Sequence, residues 1–173
     1  INDYTFFFFL SLLSVVIPES VTSIGEYAFY GCPIMQSITI PESVTSIGDY
    51  AFAYDYGFTS IIIPEKVSFI GDGVFYECRN LSSLAIPSSV TSINNYVFFN
   101  CTGLTSIEIP ASITSIGDSA MYGCSSLTTV FIPDDITYIG NGAFENCTHL
   151  TSITIPGNIK KISDRVFFQC SGL

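Results

Sequence analysis

The chain carries little positive charge: five Lys and Arg stand against fifteen Asp and Glu, a net charge of −10 over 173 residues. A field of that sign repels polyanions, which argues against nucleic acid and anionic membrane surfaces as partners. Tryptophan is absent and histidine occurs once, as His149. A lone His among Ser and Thr has no positioned nucleophile to activate, so it reads as a surface side chain in a turn. Phosphate loops, nucleophile elbows and kinase signatures are missing, so no catalytic residue is assigned and the chain reads as a non-enzyme without a cofactor. No cysteines stand in the C-x-x-C spacing of zinc sites, and no metal ligand set is assigned. No apolar run approaches the roughly 18 residues of a membrane-spanning helix, so membrane insertion is not expected.

What the chain has in abundance is repetition. The stretch LTSIEIPASITSIGDSAMYGC, Leu104–Cys124, returns 23 residues later as LTTVFIPDDITYIGNGAFENC, Leu127–Cys147. Pro18, Pro41, Pro64, Pro87, Pro110, Pro133 and Pro156 share that step, as do Cys78, Cys101, Cys124, Cys147 and Cys170. Cys32 lies on the same grid, with Asp55 where another cysteine would fall. A fixed period of this length marks a solenoid, so residues 1–173 read as one array of about seven and a half repeats. Both ends fall in mid-repeat without the polar caps such arrays carry, and the expectation is a segment of something longer.

Within each repeat, L-x-x-I-x-I alternates as a strand does, and the proline that follows ends it. V-T-S-I is a second, weaker strand. Gly follows at five of seven coils, replaced by Asn94 and Ser163. The next residue is acidic or Asn, which predicts an N-cap for a brief helical or 3-10 turn that swings the A-F pair inward. Stacked coils place equivalent residues one strand spacing apart, about 4.8 Å. The first coil is worn: Phe7, Phe8, Leu10, Leu13 and Val16 occupy positions that are usually polar later. FFFFLSLLSVVI also reads as a secretory h-region, but Asp3 precedes it, no Lys or Arg does, and no A-x-A follows.

Taken together, the columns L-x-x-I-x-I-P-x-x-[VI]-x-x-I-G-x-x-A-F-x-x-C resemble the BspA-like leucine-rich repeats, a 23-residue class of bacterial and protozoan surface proteins. The departures are Asp55, Asn94, Ser163, Met121 and the apolar first coil. The resemblance implies a leucine-rich-repeat solenoid, right-handed and β-rich, located outside the cell or on its surface. It further implies adhesion to host, matrix or neighbouring-cell proteins. It carries over no binding residue, because the positions that repeat are structural.

Candidate sites therefore come from the columns that face outward and vary. On the first strand a uniform hydroxyl column neighbours a mixed one, Thr39, Ile62, Ala85, Glu108, Phe131 and Thr154, which is the first candidate for a protein-binding face. Tyr30, Tyr76, Phe99, Tyr122 and Phe168 form an aromatic column on the turns, beside Tyr27, Tyr50 and Tyr96. Aromatics are enriched at interface cores, although such rings also simply cover the core. Asn80, Asn100 and Asn146 stand in N-x-[ST] sequons, which can carry glycans in a secreting eukaryote. The cysteines read as a ladder of buried thiols or as disulfides between coils. Glu19, Glu42, Glu65 and Asp134 form a solvated acidic edge, with no calcium-loop motif around them. The functional expectation is a protein-interaction or adhesion module. The alternative is a structural repeat that self-associates end to end or laterally into a filament or scaffold.

Overall fold

A hydroxyl facing out beside an aliphatic facing in is the unit from which this molecule is built. In the computed structural model, which describes residues 1–173, these units form two parallel ladders. The first contains β1 (Ser14–Val16), β3 (Ser37–Thr39), β5 (Ser60–Ile61), β7 (Ser83–Leu84), β9 (Ser106–Ile107), β11 (Thr129–Val130) and β13 (Ser152–Ile153). The second contains β2 (Ser23–Ile24), β4 (Ser46–Ile47), β6 (Phe69–Ile70), β8 (Ser92–Ile93), β10 (Ser115–Ile116) and β12 (Tyr138–Ile139). Partners are always one repeat apart, as in Ser14 with Ser37, Ser46 with Phe69 and Thr129 with Ser152. The proline between the two strands accepts a turn hydrogen bond from the aliphatic residue three positions on, Val44 N to Pro41 O at 3.0 Å for example. The first coil stacks as a full coil: Val15 pairs with Ile38, and the Phe6 ring lies 5.0 Å from that of Phe29.

The stretch after the second strand is not a helical or 3-10 turn, and no helix occurs in the chain. It is a run of turns with two left-handed residues per coil. Tyr27, Tyr50, Gly73, Tyr96, Ser119, Gly142 and Arg165 have φ between 51° and 60°. Four residues later, Gly31, Tyr54, Glu77, Asn100, Gly123, Asn146 and Gln169 have φ between 53° and 70°. For a residue with a Cβ this costs about 1–2 kcal/mol. The left-handed residues turn alternate amides toward the next coil, so Tyr27 N, Phe29 N and Gly31 N each donate at 2.8 Å to Asp49 O, Ala51 O and Ala53 O. A helical turn would have kept those donors within the coil and left the coil faces unpaired.

The acidic column likewise does not cap its own turn. Asp3, Asp49, Asp72, Asn95, Asp118 and Asn141 each accept, through Oδ1, the backbone N–H of the equivalent residue one coil on, at 2.7–3.1 Å. Glu26 is the gap in this series. Its longer side chain leaves Asp49 N without that acceptor.

The glycine preceding this column is forced by close approach. A Cβ on Gly48 would sit 2.7 Å from Glu26 N. The glycine amides donate to the preceding coil, Gly48 N to Ile24 O at 2.8 Å and Gly117 N to Ile93 O at 2.7 Å. Where the glycine is replaced, the side chain supplies the donor: Asn94 Nδ2 reaches Ile70 O at 2.8 Å, and Ser163 Oγ reaches Ile139 O at 2.5 Å. The second ladder is interrupted at Asn94, between β6 and β8, because a residue with a Cβ holds the backbones apart.

A single core of 46 buried residues runs through every coil. Its spine is a stack of Phe6, Phe29, Phe52, Phe75 and Phe98, with ring centroids 5.0–5.9 Å apart, interrupted at Met121. All six cysteines are buried free thiols. Each donates to a carbonyl of the preceding coil, from Cys32 Sγ to Phe6 O at 3.2 Å through Cys170 Sγ to Phe144 O at 3.0 Å. Burial lifts their pKa, that of Cys124 to about 12, so they stay protonated donors.

Candidate functional site

The strand face is set by the two-residue alternation. With Val15, Ile38, Ile61 and Leu84 directed at the core, their neighbours must face solvent, and Thr39, Ile62, Ala85, Glu108, Phe131 and Thr154 are all exposed in one column. Ile62 is 84% and Phe131 73% exposed, far beyond what the covering of a core requires. Between Ile62 and Glu108 the small Ala85 leaves a depression of about 400 Å³, edged by Ser60, Ser83 and Ser106. An isolated bridge between Ala85 and Glu108 continues the ladder there. An apolar wall, a hydroxyl floor and a carboxylate wall can hold a ligand with one apolar and one basic or donor group. Val16, paired with Thr39, extends the column by one coil and is 90% exposed. The sequence reading placed Val16 among the oddities of a worn repeat. The signal that could have found it was its step of 23 from Thr39.

The aromatic columns converge on another face. Tyr76, Phe99 and Tyr122 stack with centroids 4.6 Å apart and planes within 5° of parallel. Tyr30 stacks on Phe7 at 5.1 Å. Phe168 stands apart, under the Arg165 guanidinium at 4.4 Å, and Arg165 is itself paired with Glu145. In the coil where Ala53 occupies the column, the next residue supplies the ring: Tyr54 lies 5.2 Å from Tyr30 and 5.4 Å from Tyr76. Sequence reasoning missed Tyr54 because it is one residue off the grid. Its left-handed φ of 62° belongs to a position that carries no ring in the regular coils.

Tyr27, Tyr30, Tyr50, Tyr54, Tyr76 and Tyr96 together line an open groove of about 430 Å³. Burial raises the pKa of Tyr27, Tyr30, Tyr50 and Tyr76, and that of Tyr76 reaches about 12. Asp49 and Glu26 beside Tyr27, and Asp72 beside Tyr50, push in the same direction. The phenols of Tyr27, Tyr30, Tyr50 and Tyr76 are therefore protonated donors set in a negative field.

The sequon asparagines differ in setting. Asn80 is exposed, and its Nδ2 donates to Tyr56 O at 2.7 Å. Asn100 and Asn146 are half-buried with positive φ, and Asn100 Nδ2 is held by Glu77 Oε1 at 2.8 Å. His149 is exposed, with Nδ1 2.6 Å from Ser125 O. No three of His, Cys, Asp and Glu gather into a metal-holding group. No helix is long and apolar enough to cross a membrane.

Comparison with known proteins agrees with this geometry. The family model for the BspA type leucine rich repeat region matches in six copies, over residues 1–88 and 68–173. A leucine-rich repeat protein of T. pallidum is similar in structure, with a TM-score of 0.83 and 30% identity over 87% of this chain and 70% of that one. One from Bacteroides ovatus has a TM-score of 0.62 and 29% identity, covering 100% of this chain and 57% of its own length. A leucine rich cell surface protein of Faecalibacterium prausnitzii has a TM-score of 0.54 and 29% identity, covering 99% of this chain and 61% of its own. The chain thus spans less than two thirds of the latter two. No curated protein matches the chain.

Proposed function

The chain belongs to the BspA-type leucine-rich-repeat family, and on that footing we propose that it is the ligand-binding part of an adhesive protein outside the cell or on its surface. Repeat domains of this kind are in general protein-interaction modules and non-enzymatic scaffolds. The proposed contact surface is the strand face, with Ile62 and Phe131 as apolar anchors and Glu108 as the charged contact. The observation that carries this reading is the depression over Ala85, walled by an exposed Ile62 and by Glu108 beside the hydroxyl column of Ser60, Ser83 and Ser106. Large apolar side chains left in water at the centre of a flat polar surface are what interface anchors look like before a partner covers them. A surface location is supported by the similar cell surface protein of Faecalibacterium prausnitzii.

The test is solid-phase binding of the purified chain to coated matrix proteins and to whole cells, alongside the Ile62→Ser/Glu108→Ser/Phe131→Ser variant. All three positions point away from the core, so the variant keeps its fold. Capture weakened by about tenfold or more supports the strand face. Capture that survives the three substitutions, or no capture of wild type, overturns it.

A further inference from the structure

We propose that the tyrosine groove on the turn face docks an extended proline-rich peptide bearing arginine or lysine. This site is separate from the strand face, and the inference rests on the previous reading only in that the partner is a polypeptide.

The groove is not the incidental cover of a core. The inner spine of phenylalanines already seals the interior, with Phe29, Phe52, Phe75 and Phe98 fully buried beneath it. The tyrosines form a second, outer layer, with Tyr4–Tyr27 and Tyr27–Tyr50 stacked 5.0 and 5.2 Å apart. At the fourth rung of that column Gly73 has no ring, and Tyr50 lies across it. The next ring of the column, Tyr96, lines the same groove. A second depression of about 300 Å³ shares Tyr30 and Tyr54 with the groove and extends it past Pro33 and Tyr56.

Three properties single out the ligand. The first is period. A polyproline II helix advances about 9.3 Å per three-residue turn. Two coils of the solenoid advance about 9.6 Å. A P-x-x-P segment laid along the stack therefore meets a like ring at every turn, with little drift over the length of the groove. The second is chemistry. Proline rings pack on aromatic faces, and the unpaired carbonyls of a polyproline II backbone need donors, which protonated phenols supply. Pro33 lines the adjoining depression together with Tyr30, Tyr54 and Tyr56.

The third is charge. Glu26, Asp49 and Asp72 lie beside the rings, and the two arginines are both engaged by glutamates, Arg79 by Glu77 and Arg165 by Glu145. Arg79 shows the expected pose of a basic ligand residue, 5.9 Å over the Tyr56 ring while paired with a carboxylate. An acidic or neutral extended peptide lacks this complement, and a neutral oligosaccharide would stack without using the field.

The experiment is calorimetric or fluorescence-anisotropy titration of the purified chain with a synthetic polyproline peptide flanked by arginines. Parallel titrations use a peptide with Gly and Ser replacing the prolines, one with glutamate flanks, and a neutral hexasaccharide. Saturable binding of the first, about tenfold or more tighter than the other three and weakened by salt, is expected. Tyr50→Ala with Tyr76→Ala lowers the affinity about tenfold or more, while Tyr50→Phe with Tyr76→Phe keeps the stacking and loses less. Should the double alanine variant fail to fold, Tyr96→Ala removes an exposed ring and still weakens binding by about threefold or more. The strand-face triple variant binds this peptide as wild type does. No saturation up to about 1 mM peptide, equal binding of the Gly/Ser peptide, or preference for the hexasaccharide overturns the proposal.

Discussion

Asp55→Cys is expected to stabilise the protein by completing the thiol ladder. Asp55 is fully buried in the cysteine column, where Oδ1 accepts Cys32 N at 2.6 Å and Oδ2 has no partner. In the regular coils one carbonyl serves two donors: Phe75 O accepts both Cys78 N and Cys101 Sγ, each at 3.1 Å. The equivalent acceptor here is Phe29 O, which receives neither bond. The new thiol and Cys32 N can both turn to it. Removing the orphaned oxygen recovers about 1–3 kcal/mol, and a chain of this length gains roughly 2–4 °C in Tm per kcal/mol.

The effect has a pH signature. Burial holds the Asp55 pKa well above the carboxylate range, against the smaller opposing pull of the Cys32 N–H. A raised folded pKa means the native state holds its proton more tightly than the unfolded chain. Stability is then whole below the unfolded value of about 3.9 and is lost as pH climbs from there through the folded value. Thermal melts followed by circular dichroism from pH 4 to 8 should show the wild type losing stability as pH rises. The variant should be flatter, so that the gap between the two widens toward neutrality. A variant that melts below wild type at pH 7, or one that keeps the wild-type pH slope, would refute the reasoning.

Four further outcomes follow from the inter-coil bonds. Gly71→Ala should cost about 1–3 kcal/mol in denaturant unfolding, since a Cβ there meets Asp49 N and Gly48 C. Gly71→Asn should cost less than Gly71→Ala despite its larger side chain, because Asn94 shows the amide replacing the lost donor. Glu26→Asp should stabilise by about 0.5–1.5 kcal/mol by giving Asp49 N the acceptor every neighbouring coil has. The six thiols should resist a thiol reagent at pH 8 in the native protein and titrate fully in denaturant, with Cys170 the first to react because it is the most exposed of the six.

Much of this molecule is legible in one dimension. A step of 23 puts Ser14 on Ser37 and Ile116 on Ile139, so column membership, strand register and the inward aliphatics follow from counting. The candidate strand face was legible for the same reason: Ile62 and Phe131 stand out of a column that needs no ring or branched chain. The worn first coil was ambiguous because its outward residues are apolar, and hydropathy cannot tell a stacked coil from a targeting segment. In the structure it stacks on the second coil, with Phe6 on Phe29 and Val15 beside Ile38.

Repetition determined what lies above what, because stacking is a translation and a translation is fully described by its step. It did not determine the direction in which each column points around the coil, since that depends on the dihedral angles between columns. Two left-handed residues per coil replaced the expected helical turn, and they sent the Asp and Asn side chains forward to the next coil. The same turns brought Tyr54, one residue off the grid, into line with Tyr30 and Tyr76. The tyrosine groove is therefore a product of the tertiary structure, made by backbone angles that side-chain periodicity does not encode.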